Sequence, residues 1–221
     1  MSRYYSPVLV LLKLMDSILL ISTSYLFGSI PFSVWLGKIF LGLDVRQYGD
    51  GNPGATNVFK AGNSLLGIIV LLLDITKAAL PVGYCYYNLN IRGTPMIMIA
   101  LAPILGHIYT PFLNFKGGKA LATALGVWIG LTIWKASLPA VLGVVIGVAV
   151  LTTTGWAVMI AMGGILIVLL IWPPDPLVFW VWAGETVLLA WTHRTDLVHL
   201  PRIRPWIHKL IHKIGGANPH G

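Results

Sequence analysis

The sequence predicts an all-α protein, a polytopic membrane helical bundle of about seven transmembrane helices. Three observations predict it. Of 221 residues, 57% are hydrophobic and only 10% are charged, which is outside the range of an ordinary soluble domain. The apolar residues fall in continuous runs, several near the ~20 residues that cross a ~30 Å hydrocarbon layer. Those runs do not alternate, which argues against an outer-membrane barrel, whose strands alternate.

The segments follow in order as 17–42, 64–88, 95–113, 119–134, 137–155, 156–172 and 176–193. The first contains "GSIP", and Pro31 inside a membrane helix frees a backbone carbonyl and is expected to kink or thin the helix there. The breaks between the fourth, fifth and sixth segments rest on "IWKASLP" and "TTTGW", and "WPPDP" at 172–176 stops the chain before the last segment. No internal repeat is visible. Residues 1–200 read as one transmembrane domain and residues 201–221 as a basic tail. Lys13 and Asp16 interrupt the N-terminal apolar stretch, which argues against a cleaved signal peptide. The single cysteine, Cys85, leaves no internal disulfide.

The formal net charge is +8. Five cations, Arg194, Arg202, Arg204, Lys209 and Lys213, follow the last apolar run. There anionic lipid headgroups are the economical partner, not nucleic acid. Seven spans put the termini on opposite sides. One side holds Lys38, Arg46, Lys60, Lys116, Lys119 and those five; the other holds Arg3, Lys13, Arg92 and Lys135. The excess of positive charge assigns the first side to the cytoplasm. The loop 43–63, the loop 114–118 and "THRTD" (192–196) then share the cytoplasmic face, and the N-terminus is extracytoplasmic.

Two of these loops carry the chemistry. "QYGDGNPGATNVFK" (47–60) is polar and glycine-rich inside an apolar chain. Its "GDGNPG" matches G-x-G-x-x-G, but a membrane helix precedes it where a dinucleotide fold needs a strand. "KGGK" (116–119) is not a phosphate loop of the nucleotide-binding kind, since no Ser or Thr follows the lysine. The underlying physics still applies. Glycines let backbone N–H groups turn toward an anion. Asn52, Thr56 and Asn57 add neutral donors, and Lys60, Lys116 and Lys119 add charge. Lys119 is expected to open a helix, whose N-terminus favours an anion. Either loop alone reads as a solvated turn; together on one face they point to a site for one or two phosphates at the membrane surface.

Within the spans, Asp74 and Lys77 sit at i and i+3, the spacing of a paired brace on one helix face. His107 reads as a packing histidine, and Glu185 calls for a partner the sequence does not name. His193 and Asp196 share the i, i+3 relation, which suits either an oriented imidazole or a helix cap.

Four stretches resemble the bacterial membrane acyltransferases that move an acyl group from acyl phosphate to glycerol 3-phosphate. "GSIPFSVWLGKIFLGLDVRQYGDGNPGATNVFKAGN" is similar to that family's first helix and first motif, and "LLLDITKAALP" to its second helix. "GHIYTPFLNFKGGKALATALG" resembles its third helix and glycine-rich second motif, and "THRTDLVHL" sits where the family has a short His-containing motif. The likeness runs from about 17 to 200. It implies a seven-span enzyme of the bacterial cell membrane, making lysophosphatidic acid and phosphate in the first acylation of phospholipid biosynthesis. No cofactor or metal and no obligate protein partner are implied; membrane lipids surround it. Its implied catalytic residue is His193, with the leaving phosphate as the other candidate base. The implied substrate-binding set is Asp50, Gly51, Asn52, Gly54, Thr56, Asn57, Lys60, Lys116, Gly117, Gly118, Lys119 and Asp196. The chain departs from the family pattern at Asp50 (usually serine), Lys60 (usually arginine), Asp196 (usually asparagine) and in "LTTTGWAVM", where threonines and Trp156 stand in a serine-bearing stretch. Lys60 is the expected partner if Asp50 has taken a pairing role. The two acidic departures keep open a second reading, a paralogue that binds a phosphorylated lipid or polyol without acyl transfer. The chain has no H-x₄-D pair, so the acyltransferases that use a His/Asp dyad do not fit.

Overall fold

The computed structural model describes residues 7–172 and 175–207. Ten α-helices are described: α1 (Pro7–Ser29), α2 (Phe32–Leu36), α3 (Ala55–Lys60), α4 (Ser64–Gly83), α5 (Thr94–Ile108), α6 (Leu121–Thr132), α7 (Ser137–Val150), α8 (Thr154–Ile171), α9 (Leu177–Thr192) and α10 (Arg194–Leu197). Single π-helical turns extend α2 over Gly37–Leu41 and α4 over Tyr84–Asn88. No strand occurs among the described residues, only an isolated bridge between Leu151 and Ile203. The basic cations Lys209 and Lys213 and the prolines of "WPPDP", Pro173 and Pro174, lie outside the described residues.

The seven apolar segments are helical, in the expected order. Four are long and apolar enough to cross a membrane: Leu11–Leu41, Ser64–Asn88, Thr94–Leu113 and Thr154–Ile171. The other three, α6, α7 and α9, are apolar but shorter, at 12, 14 and 16 residues. At 1.5 Å per residue α6 is only about 18 Å long. It is short because its expected first residues do not coil. Lys116 to Lys119 are non-helical and run back past the end of α5, and Ala120 takes a left-handed conformation (φ 62°) before the helix begins at Leu121. Lys119 therefore precedes the helix and does not open it.

Helix α1 ends at Ser29 because Pro31 has no N–H to give. Two of the carbonyls at this break are taken by side chains from elsewhere in the bundle. The Thr110 hydroxyl donates to Ser29 O (2.6 Å) and Lys77 Nζ donates to Ile30 O (3.0 Å). A hydrocarbon environment requires this, since no water is at hand to take them.

Small residues set the helix spacing. A Cβ on Gly28 would collide with Pro103, which brings α1 onto α5. Gly126 meets the carbonyl of Ile75, joining α6 to α4, and Gly143 and Gly147 lie against Ala161 and Ala157, joining α7 to α8. Close backbone approach of this kind supplies the dispersion that holds helices together in lipid. The main core gathers Ile99, Ile104, Val127, Trp128, Ile165 and Leu189 between these helices. A smaller core of Val34, Val45, Val58 and Val70 seats the loop 43–63 on α4. The outer faces stay apolar, with Leu19, Leu72, Ile146, Ile167 and Val187 exposed, as a lipid-facing belt requires.

The loops segregate to two ends. Arg92 lies 3.6 Å from Asp175, and Lys135 Nζ sits 3.2 Å from the centre of the Trp172 ring. The α4–α5, α6–α7 and α8–α9 connections therefore share one end.

Lys77 fastens the break in the first span to α4 and α5, and the Asp74 carboxylate 2.6 Å away offsets its burial. Removing one member of a buried pair leaves the other uncompensated, at about 3–5 kcal/mol. Thermal unfolding in detergent should show Lys77→Met destabilised by that order, with much of it recovered in Lys77→Met/Asp74→Leu. A double variant no more stable than the single one would mean that Asp74 is not the group Lys77 compensates.

Candidate active site

The loop 43–63 is held by its own polar side chains. Asp44 caps the short 3₁₀ turn Val45–Gln47 and forks Arg46, with Oδ2 2.6 Å from Nη2. The Arg46 hydrogen bonds hold the Asp44 carboxyl down at about 2, against its burial. Arg46 is thus committed inside the loop. Gly49 and Gly51 both take left-handed φ (60° and 77°), and a Cβ on Gly49 would strike the Asn57 amide. This turn folds Asp50 back over α3. Asp50 Oδ1 accepts from Asn52 N (3.3 Å) and from Asn57 Nδ2 (3.1 Å), and Asn57 Nδ2 also donates to Asn52 O (2.7 Å).

Across from this loop runs the non-helical stretch before α6. Gly117 N donates to Ile108 O (2.9 Å) and Gly118 N to His107 O (3.2 Å). A Cβ at Gly117 would collide with the His107 carbonyl, and one at Gly118 with its ring. These glycines therefore permit close packing on α5, and their N–H groups are spent on its last carbonyls. They do not turn toward an anion as the sequence suggested. Packing of this stretch on α5 carries Lys119 to Asp50, Nζ to Oδ2 3.1 Å. The partner of Asp50 is Lys119, and not the expected Lys60. Burial raises the Asp50 carboxyl, but the hydrogen bonds from Asn52 and Lys119 outweigh it and leave it at about 2. Because the folded value is depressed from 3.8, the pair's contribution is present above that pH and is lost as pH falls through about 2.

The third wall is the end of α9. His193, 1% exposed, donates from Nδ1 to Leu189 O (2.9 Å), a group that only accepts. The neutral ring thus carries its proton on Nδ1, and Nε2 remains as an acceptor. Thr192 Oγ1 donates to Lys119 O (3.2 Å), tying α9 to the non-helical stretch. Asp196 Oδ2 accepts from Gly155 N (2.9 Å). Of its two expected roles, then, it caps a helix end, that of α8. The turn between α7 and α8 is clamped from outside by the segment after α10. Thr152 N donates to Arg202 O, Arg204 N to Val150 O (both 2.9 Å), and Trp156 Nε1 to His199 O (2.8 Å).

These elements enclose one cavity of about 540 Å³. Asp50, Asn52, Gly54, Thr56, Asn57, Lys60, Lys119, His193 and Asp196 line it; Gly51, Lys116, Gly117 and Gly118 do not. Thr152, Thr153 and Thr154 also line its polar end, as does His107. The run of three threonines was visible in the sequence, but nothing there aimed it at the loops. The cavity continues between α6, α7, α8 and α9 past Val141, Val144, Val145, Met162 and Ile165. One void therefore joins two lysines and several neutral hydrogen-bonding groups to an apolar compartment. That combination suits a molecule with an anionic head and a hydrocarbon chain.

Such a site in such a bundle defines an integral membrane enzyme that handles phosphorylated head groups and acyl chains together. The chain belongs to the glycerol-3-phosphate acyltransferase family, whose model matches residues 18–202. It is accordingly an acyltransferase of the membrane. A glycerol-3-phosphate acyltransferase of Anaeromyxobacter sp. (strain Fw109-5) is 46% identical over 144 residues, covering 62% of this chain and 70% of that one. One of Nitratidesulfovibrio vulgaris (strain Hildenborough) is 36% identical over 202 residues, and this chain spans 58% of its length. PlsY (YgiH), an integral membrane glycerol 3-phosphate acyltransferase, is similar in structure. Its glycerol 3-phosphate form gives a TM-score of 0.76 at 28% identity, covering 88% of this chain and 98% of that one. Its lysophosphatidic acid form gives 0.73.

Asp50 holds Lys119 as an internal counter-ion. Its side chain is 47% exposed, so solvent screens the pair and its worth is that of a surface pair. A serine can still accept from Asn52 N–H but cannot pair with Lys119. Steady-state kinetics should show Asp50→Ser lowering the KM for the phosphorylated acceptor, by up to about fivefold, the upper end of an exposed pair. An unchanged or raised KM would mean that Lys119 is not released toward the substrate.

Proposed function

We propose that the chain transfers an acyl group from acyl phosphate to glycerol 3-phosphate, giving lysophosphatidic acid and inorganic phosphate, the first acylation of phospholipid synthesis. The observation that carries this reading is the single cavity with a cationic end and an apolar end. The names of the relatives support transfer to glycerol 3-phosphate and lend nothing to binding without transfer. We further assign the protein to the bacterial cell membrane, with the N-terminus extracytoplasmic and the motif loops cytoplasmic. The charge bias of the loops and their grouping at one end support that assignment.

The chemistry then follows from the chain's own groups. The acyl chain lies between α6 and α9, and its carbonyl sits near the polar end. Lys119 and Lys60 hold the two phosphates, with Asn52, Thr56 and the turn threonines adding neutral hydrogen bonds, while Asn57, its amide N–H groups given to Asp50 and Asn52, offers only Oδ1 to a glycerol hydroxyl. The glycerol hydroxyl oxygen attacks the acyl carbon, the bond to the phosphate oxygen breaks, and phosphate leaves. An acyl phosphate is already activated, so alignment of two anions and neutralisation of the developing charge are the main tasks. The hydroxyl proton has two candidate acceptors, His193 Nε2 and the leaving phosphate. His193 is the residue with a bare nitrogen on the cavity wall.

With acyl phosphate and glycerol 3-phosphate, purified protein in detergent or bicelles should release phosphate only when both are present. Acyl-CoA at equal concentration should not serve, since the cavity described offers no nucleotide-binding loop among the described residues and the sequence has no H-x₄-D dyad. Comparable rates from the two donors would overturn the donor assignment. Lys119→Ala should lose most turnover while the protein still inserts and folds; wild-type activity in that variant would remove the non-helical stretch from the site.

A general base contributes about 10²–10⁴-fold. His193→Gln keeps a side-chain amide near Leu189 O but lacks a basic nitrogen, and a loss of kcat in that range is expected. A loss below about tenfold would assign the proton to the leaving phosphate.

A further inference from the structure

Three buried side-chain oxygens lack a hydrogen-bond partner among the described residues: Asn57 Oδ1, Thr153 Oγ1 and Glu185 Oε2. All three residues line the one cavity. Asn57 and Thr153 belong to its polar end, where the Thr153 hydroxyl can donate to a phosphate and Asn57 Oδ1 can accept from a glycerol hydroxyl. Glu185 does not. It lies in the middle of α9, is 1% exposed, and gives only Oε1 to a partner, the Trp128 indole N–H at 2.9 Å. No ion pair reaches it among the described residues.

Glu185, Leu189 and His193 are successive positions on one face of α9, at i, i+4 and i+8, and each lines the cavity. Eight residues at 1.5 Å put Glu185 ~12 Å from His193 along the helix axis. An extended chain advances ~1.2 Å per backbone bond, so that depth is roughly ten bonds from the reacting carbonyl.

Oε2 is already buried without a partner, and an unsubstituted hydrocarbon chain passing this point supplies none; a buried oxygen left unpaired is disfavoured. A hydroxyl on the chain removes the conflict. It both donates and accepts, so it pairs with the carboxyl whichever oxygen carries a proton. Sites that hydrogen-bond a substrate hydroxyl discriminate strongly against the analogue lacking it.

We infer that Glu185 is a specificity-determining residue of the acyl compartment, and that the compartment accepts acyl chains bearing a hydroxyl about ten carbons from the carbonyl. This rests on the acyl-transfer reading for the chain's orientation, with the head at the lysines.

The test uses the whole protein in nanodiscs and needs no turnover. Binding is measured for three lysophosphatidic acids of equal chain length: unsubstituted, hydroxylated at the third carbon, and hydroxylated at the tenth. The tenth-carbon compound should bind about tenfold more tightly than the other two, and Glu185→Leu should abolish that preference while all three still bind. Glu185→Leu in a Trp128→Phe background leaves no orphaned indole N–H and stands in if the single variant does not fold. Equal binding of the three by wild type overturns the inference. So does a preference that survives the substitution, or a variant that binds all three more tightly by one common factor, since Glu185 would then be a hydrated polar wall only. Transfer from unsubstituted acyl phosphate is assayed alongside. Transfer without the preference overturns the subsite alone; the preference without transfer overturns the proposed function alone and supports the subsite.

Discussion

A single ammonium group, Lys77 Nζ, sits where the first span is broken, and the rest of the site depends on that break. Its three N–H bonds have three acceptors: Asp74 Oδ1 at 2.6 Å, Ile30 O at 3.0 Å and His107 Nδ1 at 2.8 Å. Each contact does a different job. Asp74 offsets the burial of charge, Ile30 is a carbonyl that Pro31 has freed, and His107 is the residue on which the non-helical stretch before α6 is packed. Thr110, from the turn after α5, takes the neighbouring free carbonyl of Ser29. A broken helix is tolerated at membrane depth only where protein satisfies the freed backbone. Here the groups that do so come from α4 and from the end of α5, so the break also fixes where those helices stand.

From this follows the placing of the two loops. Because Lys77 occupies Nδ1 of His107, the imidazole is held with Nε2 toward Gly118. Only a residue without a side chain fits there, so Gly117 and Gly118 lie flat on the last turn of α5. Lys119 comes next and is delivered to the cavity wall opposite α3. The loop 43–63 reaches the same wall because α2 leaves the break and seats Val34 against Val45, Val58 and Val70. Asp50 and Lys119, 69 positions apart in sequence, meet at 3.1 Å as a result.

That history explains which parts of the protein were legible in the sequence. The seven apolar segments were, because each is continuous and bounded by glycine, proline or charge, and such a run has few other fates than a helix in lipid. The ends of α6 were not. "KGGKA" reads as the start of a helix, and its non-helical course is set by His107 and Ile108, which local pattern does not reveal. The pairing of Asp74 with Lys77 was legible because i, i+3 spacing forces proximity on one helix. The pairing of Asp50 was not, since Lys60 is nearer in sequence and only tertiary packing favours Lys119. Glu185 announced itself as a buried acid, but Trp128, 57 positions away, could be named as its partner only from the packed helices. The threonines at 152–154 carried a weak signal, and their place on the cavity wall depends on the clamp from Arg202 and Arg204.

The acid at position 50 bears on how such a site can exist before substrate arrives. Two lysines at the mouth of an apolar void repel one another, and the repulsion grows as the local dielectric falls. A protein can spread that charge into water or supply a counter-charge. Here Asp50 supplies it for Lys119, from a side chain that is half exposed and anchored through Oδ1 to Asn52 and Asn57. The anchoring matters more than the pair. Because Oδ1 is held by the loop and Oδ2 alone meets Lys119, a phosphate can displace the carboxylate from the lysine without unfolding the turn that carries Asn57. Lys60 has no carboxylate within ion-pairing distance among the described residues. The two lysines are therefore unequal: one is open to an anion from the start, the other yields only to an anion that outcompetes Asp50. In the proposed reaction the two phosphates would meet different resistance, and which lysine carries the counter-ion would set their order of binding.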